Sequence, residues 1–198
     1  MSDTLQRCTW CDSSDLYRHY HDHEWGYPVA DERALFEMLS LELFQSGLSW
    51  LTILKRREGF RRAFSKFDVK RIARFGEADV ARLLADEGIV RHRGKIEAVI
   101  ANARATLALR EQGETLSALL WRHAPQPLGK APKALTVQAS TAESAALAKA
   151  LKARGFGWLG PTTVYAFMQA TGMVNDHHPG CHAWALAHAA RQAFTPPA

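Results

Sequence analysis

The sequence predicts an all-helical protein organised as one unit over residues 1–198. Apolar residues recur at three- and four-residue intervals in successive stretches, the spacing of an amphipathic helix. Residues that start and stop helices bracket those stretches. No stretch alternates apolar and polar residues as a half-buried strand does, and no internal repeat is visible. Apolar residues make up 47% of the chain and charged residues 23%, an ordinary balance for a chain with a packed core. There is no run of about 18 apolar residues, so no membrane span is expected. Met1-Ser2-Asp3-Thr4 lacks the basic and apolar parts of a secretory leader, which points to the cytoplasm.

The first helix expected runs from Asp31 to Ser46, with Leu35, Phe36, Leu39 and Leu43 facing inward, Asp31 as its cap and Gly47 as its stop. A second starts near Ser49 and carries Leu51, Leu54 and the basic run Lys55-Arg56-Arg57. Short helices follow over Val69–Phe75 and Ala78–Asp86, then a longer one over Lys95–Glu111 and another over Leu116–Arg122. Prolines and a glycine between Pro125 and Pro132 break the pattern and mark a loop. Ser140-Thr141-Ala142-Glu143 has capping-box spacing and opens a helix to Arg154, closed by Gly155. Further helices are expected from Pro161 to Thr171 and from His182 to Phe194, with the last residues frayed.

Three cysteines and nine histidines are present, most of the histidines near the two ends. An odd, small number of cysteines in a reducing compartment argues against a disulfide framework. Cys8 and His21 stand near the start, and His177-x-x-x-Cys181 places two donors on one side of a helical turn near the end. Two thiolates and two imidazoles suit tetrahedral zinc, and four protein ligands would make the site structural. The alternative set replaces His21 with Cys11, since Cys8-x-x-Cys11 is a common metal knuckle. Surface histidines and buried thiols without metal are the plainer reading.

The net charge of +5 and a pI near 9.3 are compatible with nucleic acid without requiring it. Arg154-Gly155-Phe156-Gly157-Trp158-Leu159-Gly160-Pro161-Thr162 reads as a helix end, a glycine-rich turn and a new helix start. Glycines let backbone approach a ligand, and the unpaired N–H groups of a helix start favour an anion. This is a helix-hairpin-helix that suits a DNA phosphate, with Gly155, Gly157, Gly160 and Thr162 as the contacts and Phe156, Trp158 and Leu159 as its anchors in the core. The turn from Asp86 to Lys95, with Arg91, Arg93 and Lys95, is a second candidate for phosphate contacts. An ordinary helix connection and a solvated basic turn are the plain alternatives.

Glu42 lies three residues after Leu39 and seven after Leu35, on the apolar face of its helix. A carboxylate there is costly unless paired, for instance with a core arginine. With Trp50 across the Gly47 turn, and Tyr17 and Tyr20 upstream, it instead makes a pocket for a flat, cationic, nitrogen-rich ligand. Asp176, in Val174-Asn175-Asp176-His177, is a candidate general base, a helix cap, or the partner of a metal-bound His177.

These residues together make the chain resemble the 3-methyladenine DNA glycosylase I family from about Arg7 to Cys181. The resembling segments are Cys8-Thr-Trp, Tyr20-His-Asp-His-Glu-Trp-Gly26, Leu35-Phe-Glu-Met-Leu39, Leu41-Glu42, Gln45-Ser-Gly-Leu-Ser-Trp50, Gly88-Ile-Val-Arg-His-Arg-Gly-Lys95, Arg154-Gly-Phe, Gly160 and Val174-Asn-Asp-His177. The resemblance implies a helix-hairpin-helix glycosylase fold and one structural zinc ion held by Cys8, His21, His177 and Cys181. It implies that Glu42, Trp50 and Tyr20, with Tyr17 close by, line a base pocket. It also implies excision of 3-methyladenine from double-stranded DNA by a monomeric enzyme without lyase action. Leu43-Phe44 departs from the smaller residue that often follows the glutamate. The rival reading is a non-catalytic helix-hairpin-helix DNA-binding module, which has no need of Glu42, Trp50 and Tyr20 together. A weaker third reading is a small-molecule enzyme with a basic surface.

Overall fold

The computed structural model describes residues 5–127 and 138–197, and these contain ten α-helices and no strand. The helices are α1 (Asp15–His23), α2 (Glu32–Gln45), α3 (Trp50–Ala63), α4 (Val69–Ile72), α5 (Glu77–Ala85), α6 (Arg93–Glu111), α7 (Leu116–Trp121), α8 (Ala142–Ala153), α9 (Pro161–Ala170) and α10 (His182–Ala193). Gly129 and Pro132 of the expected loop lie outside the described residues.

Side-chain caps set most helix starts. Ser14, Asp31, Ser49, Asp68, Thr115 and Thr141 each accept a backbone N–H three residues ahead, which satisfies donors that the first turn leaves orphaned. The capping box at α8 pairs Thr141 with Ser144, one residue beyond the expected Ser140–Glu143 pair. α1 was not expected from apolar spacing: its residues are mainly polar, and only Tyr20 and His21 are fully buried. α4 is one turn and stops short of the expected Phe75; past its end the chain continues in tighter turns, and the carbonyls of Ala73 and Phe75 accept from the Arg104 guanidinium at 3.0 Å each.

α2 is the central element. Residues 35, 36, 39, 40, 41, 42, 43 and 44 are all buried, so the helix has almost no solvent face over its last two turns. It packs on α3, α7 and α9. One contiguous core runs from Tyr20 to Met173, and a small second cluster of Cys8, Cys181 and Ala183 sits where the two ends of the chain meet. His182 N–H donates to the Gln6 carbonyl at 2.9 Å, and the N–H of His178 points at Cys8 Sγ at 3.2 Å. At the end of the expected last helix, Phe194 packs on Trp121 with ring centroids 4.4 Å apart. No helix among the described residues is long and apolar enough to cross a membrane.

Candidate active site and metal centre

α1, α2, α3 and α9 enclose a cavity of about 150 Å³, lined by Trp10, Tyr17, Tyr20, Trp25, Glu42, Gln45, Trp50, Ala166 and Gln169. Glu42 reaches it because α2 is buried on all sides, so a polar residue there has no route to solvent. Only 4% of Glu42 is exposed, and its Oε2 has no hydrogen-bond partner. The expected alternative, a core arginine on Glu42, is absent among the described residues. Burial alone therefore pushes the carboxyl up to about 8. Trp50, the first residue of α3, leaves its indole Nε1 buried and unpaired as well. Tyr20 tilts against Trp50 at 43° with centroids 5.4 Å apart, and its hydroxyl is held far above its usual range by burial and by Glu42.

The cavity thus carries aromatic walls, one orphan acceptor and one orphan donor, in a space that admits a planar ring system and little more. Such orphans are costly in a closed core and make sense where a ligand supplies the partners. Tyr17 lines the same space and packs on Trp10 at 4.8 Å. Trp10 and Trp25, 5.1 Å apart, complete the aromatic wall; both stand inside the resembling segments, but neither was assigned a place. Ala166 and Gln169 were also missed, since only the folded chain brings α9 to α2; Gln45, three residues after Glu42 on α2, stood in a resembling segment without an assigned place. Leu43 and Phe44 are fully buried and do not line the cavity, so that departure leaves its walls unchanged.

Asp176 does not line this cavity. Its Oδ2 accepts from the Tyr165 hydroxyl at 2.5 Å and from Gln169 Nε2 at 2.8 Å. It is not the partner of His177 either: Asn175 Oδ1 lies 2.9 Å from His177 Nδ1.

Cys8, His21 and Cys181 bring their donor atoms within 4.8 Å of one another, all buried. His177 stands beside them with its ring 5.0 Å from that of His21, and its Nε2 is buried with no partner. The other nitrogens are already oriented, His177 Nδ1 by Asn175 and His21 Nδ1 by Asp22 at 2.7 Å. Burial opposes the Asp22 carboxylate, but hydrogen bonds with Arg7, His21 and His182 hold it well below the usual range. Burial pushes the Cys8 thiol up to about 12 and His177 down to about 4. Cys11 turns away and donates to the Cys8 carbonyl at 3.0 Å. Gly26 keeps room for the cluster: at φ +87°, an added Cβ would stand 2.6 Å from His177 Cε1. His177 and Cys181 lie on the turn before α10, not on the helical turn expected, and Cys181 is the residue that caps α10.

α8, a turn and α9 form the glycine-rich connection. Gly155 ends α8 at φ +83°. Phe156 and Leu159 are buried as expected. Trp158 is not: it is 49% exposed at φ +61° and lies edge-on to His92, 5.4 Å away. The Gly157 N–H and carbonyl are both taken by Asn102, at 2.8 and 3.2 Å, so Gly157 has no free amide for a phosphate. Gly160 is exposed and caps α9 without a side chain, with Pro161 at the first position and Thr162 exposed behind it. On the second turn, Arg93 is exposed and shared between Glu77 and Glu97 at 2.9 and 3.2 Å. Lys95 is 5% exposed, and its Nζ donates to the carbonyls of Phe44 and Ser46 at 3.0 and 2.6 Å. It closes the C-terminus of α2 instead of reaching for phosphate.

The methyladenine glycosylase family model matches residues 10–184. The chain is 49% identical over 180 residues to DNA-3-methyladenine glycosylase 1 of Escherichia coli K12, covering 89% of this chain and 96% of that one. A crystal structure of 3-methyladenine DNA glycosylase I is 51% identical with a TM-score of 0.85, covering 89% and 98% of the two chains. A variant of such an enzyme in complex with 3-methyladenine is 34% identical with a TM-score of 0.81, covering 90% and 97%. The cavity built by α1, α2, α3 and α9 lies within the matched residues, and the chain belongs to the methyladenine glycosylase family.

Proposed function

We propose that the protein excises 3-methyladenine from alkylated double-stranded DNA, acting as a cytoplasmic monomer by base flipping and hydrolysis of the N-glycosidic bond. The observation that carries this is the buried, unpaired carboxyl of Glu42 in a cavity walled by Tyr20 and Trp50. Methylation at N3 makes the base cationic and its bond to the sugar already weak. A cation entering the cavity gives Glu42 the opposite charge it lacks, so the carboxyl ionises as the base docks. Tyr20 and Trp50 stack on the ring, about 0.5–2 kcal/mol per cation–π contact, and Glu42 accepts hydrogen bonds from the base edge. Neutral adenine offers no such compensation for a buried carboxylate, so selectivity follows from charge. No lysine lines the cavity, which supports hydrolysis without a Schiff-base lyase step.

The exposed start of α9 at Gly160 and Thr162 and the α8 end at Gly155 support a helix-hairpin-helix grip on a DNA phosphate, with Arg93 and the neighbouring basic turn as further contacts. Cys8, His21, His177 and Cys181 would hold one structural zinc ion. The fit rests on the donor atoms of Cys8, His21 and Cys181 within 4.8 Å of one another and on the unpaired Nε2 of the neighbouring His177. When bound, the ion ties the residues before α1 to those before α10 and does no chemistry. The protein is one glycosylase unit over 1–198, with free cysteines consistent with a reducing compartment.

The test is incubation of the purified protein with methylated duplex DNA and chromatography of the released bases. Free 3-methyladenine supports the reading. Salt-dependent binding to the same DNA without release would leave the non-catalytic DNA-binding module in its place.

A further inference from the structure

Tyr165 and Gln169 are four residues apart on α9, so both side chains leave the same face. Both end on one oxygen, Asp176 Oδ2, at 2.5 and 2.8 Å. A carboxylate facing two such donors accepts and does not donate, so the Gln169 amide has one possible orientation there: its NH₂ faces Asp176. Gln169 is at the same time a wall of the base cavity, one turn along α9 from Tyr165 and three residues after Ala166, which also lines it. With its NH₂ anchored on Asp176, the Gln169 amide cannot flip, so its carbonyl Oε1 is a fixed acceptor at the end away from that carboxylate, while the second N–H stays at the Asp176 end. Glu42 and Trp50, which line the same cavity, carry its unpaired acceptor and its unpaired donor.

We propose that Gln169 is a specificity-determining residue that reads the amino group at C6 of the purine, and that Asp176, assisted by Tyr165, is the positioning residue that locks its amide as an acceptor. The inference rests on the base-pocket reading of this cavity. A 6-amino purine presents N–H to an acceptor. A 6-oxo purine presents a carbonyl to a carbonyl, which leaves two oxygens unpaired in a desolvated site. Sites built on hydrogen bonds discriminate against analogues that cannot form them because the protein's own polar group is then orphaned. Both 3-methyladenine and 3-methylguanine are N3-methylated and cationic in DNA, so charge does not separate them and the C6 substituent does. This gives Asp176 a place in the reaction without contact with the sugar or with water.

The experiment is the ratio of initial release rates of 3-methyladenine and 3-methylguanine from one preparation of methylated duplex DNA, measured for wild type, Gln169→Met and Asp176→Asn. The two products come from the same enzyme molecules, so a partly unfolded variant lowers both rates and leaves the ratio untouched. Gln169→Met removes the acceptor and keeps the bulk. Asp176→Asn leaves every cavity wall in place but offers an amide that can donate, so Gln169 is free to turn its NH₂ toward the base. The proposal expects the ratio to fall about tenfold in Gln169→Met, the loss of one buried hydrogen bond, and to fall in Asp176→Asn as well. A ratio unchanged in Gln169→Met would overturn the specificity role. A fall in Gln169→Met with a wild-type ratio in Asp176→Asn would overturn the positioning role. A wild-type protein that releases neither base would instead strike at the glycosylase reading itself.

Discussion

Glu42 and Trp50 line one cavity, and Glu42 Oε2 and Trp50 Nε1 are both buried without a hydrogen-bond partner. One is an acceptor at the end of α2 and the other a donor at the start of α3, so the turn between them sets their spacing. Lys95 holds that turn by capping the Phe44 and Ser46 carbonyls. The cavity thus holds two unpaired buried polar atoms, and Glu42 is the one carboxyl among its lining residues.

That group makes stability depend on pH in a defined direction. The folded-state value of Glu42, about 8, lies above the ordinary 4.5. Its protonated form is therefore favoured by folding, and this contribution is fully present below about 4.5 and lost as pH rises through 8. The full shift corresponds to roughly 5 kcal/mol at about 1.4 kcal/mol per unit. Glu42→Gln, which cannot ionise, should melt near wild type at pH 4 and become progressively more stable than wild type up to pH 9. Calorimetric melting across that range checks it; parallel curves would show that Glu42 has a counter-charge.

Removing the metal should loosen the joined ends before it touches the cavity chemistry. Zinc analysis of the purified protein should give one ion per chain, absent in His177→Ala. Chelation should lower the melting temperature, with partial exposure of the residues near Cys8 and Cys181 to proteolysis. Gly26→Ala should mimic part of this, because its Cβ would meet His177 and its φ is positive. Unchanged melting after complete metal removal would contradict a structural role.

Arg93 and Lys95, two residues apart, should behave oppositely in DNA binding. Arg93→Ala should weaken duplex binding and reduce the salt slope by up to about 0.9 for one lost phosphate contact, less whatever Glu77 and Glu97 already screen. Lys95→Met should leave the slope unchanged while lowering excision and stability, since its ammonium is spent on α2. Fluorescence titrations at several salt concentrations separate the two.

Trp10→Leu tests a wall that was not recognised in the sequence. It packs by Tyr17, Tyr20, His21 and Trp25, so it joins the cavity to the cluster of Cys8, His21 and Cys181. Excision should fall about tenfold, one lost aromatic contact of order 1 kcal/mol plus a loosened Tyr17 and Tyr20, with duplex affinity retained. Single-turnover release rates beside binding curves decide it.

Most helices were legible because apolar spacing and capping residues are local signals: Asp31, Ser49 and Thr141 mark starts that the fold uses. Glu42 was legible by contradiction, as a charge on an apolar face. α1 was not, because its nine residues are mostly polar and its apolar stripe is only Leu16, Tyr17 and Tyr20; its helix is fixed by the burial of Tyr20 and His21. The orientation of Trp158 was hidden because a left-handed backbone at a non-glycine residue is imposed by its surroundings, here His92 and Gly94. Lys95 looked like a phosphate ligand because its partners, two carbonyls about fifty residues earlier in the chain, leave no mark near it. Gln169 escaped for the same reason, since only folding sets α9 beside α2; Asp176 stood out in the sequence, but its partners Tyr165 and Gln169 did not.

The central claim is that the Glu42 carboxyl selects a damaged base by its charge, and release of 3-methyladenine by Glu42→Gln tests it most directly. The neutral amide keeps the shape of the wall and removes the counter-charge. Single-turnover release from methylated duplex should fall at least about tenfold, the worth of one charged hydrogen bond, while duplex affinity and folding at pH 7 hold. Release at the wild-type rate by a folded Glu42→Gln protein would contradict the account.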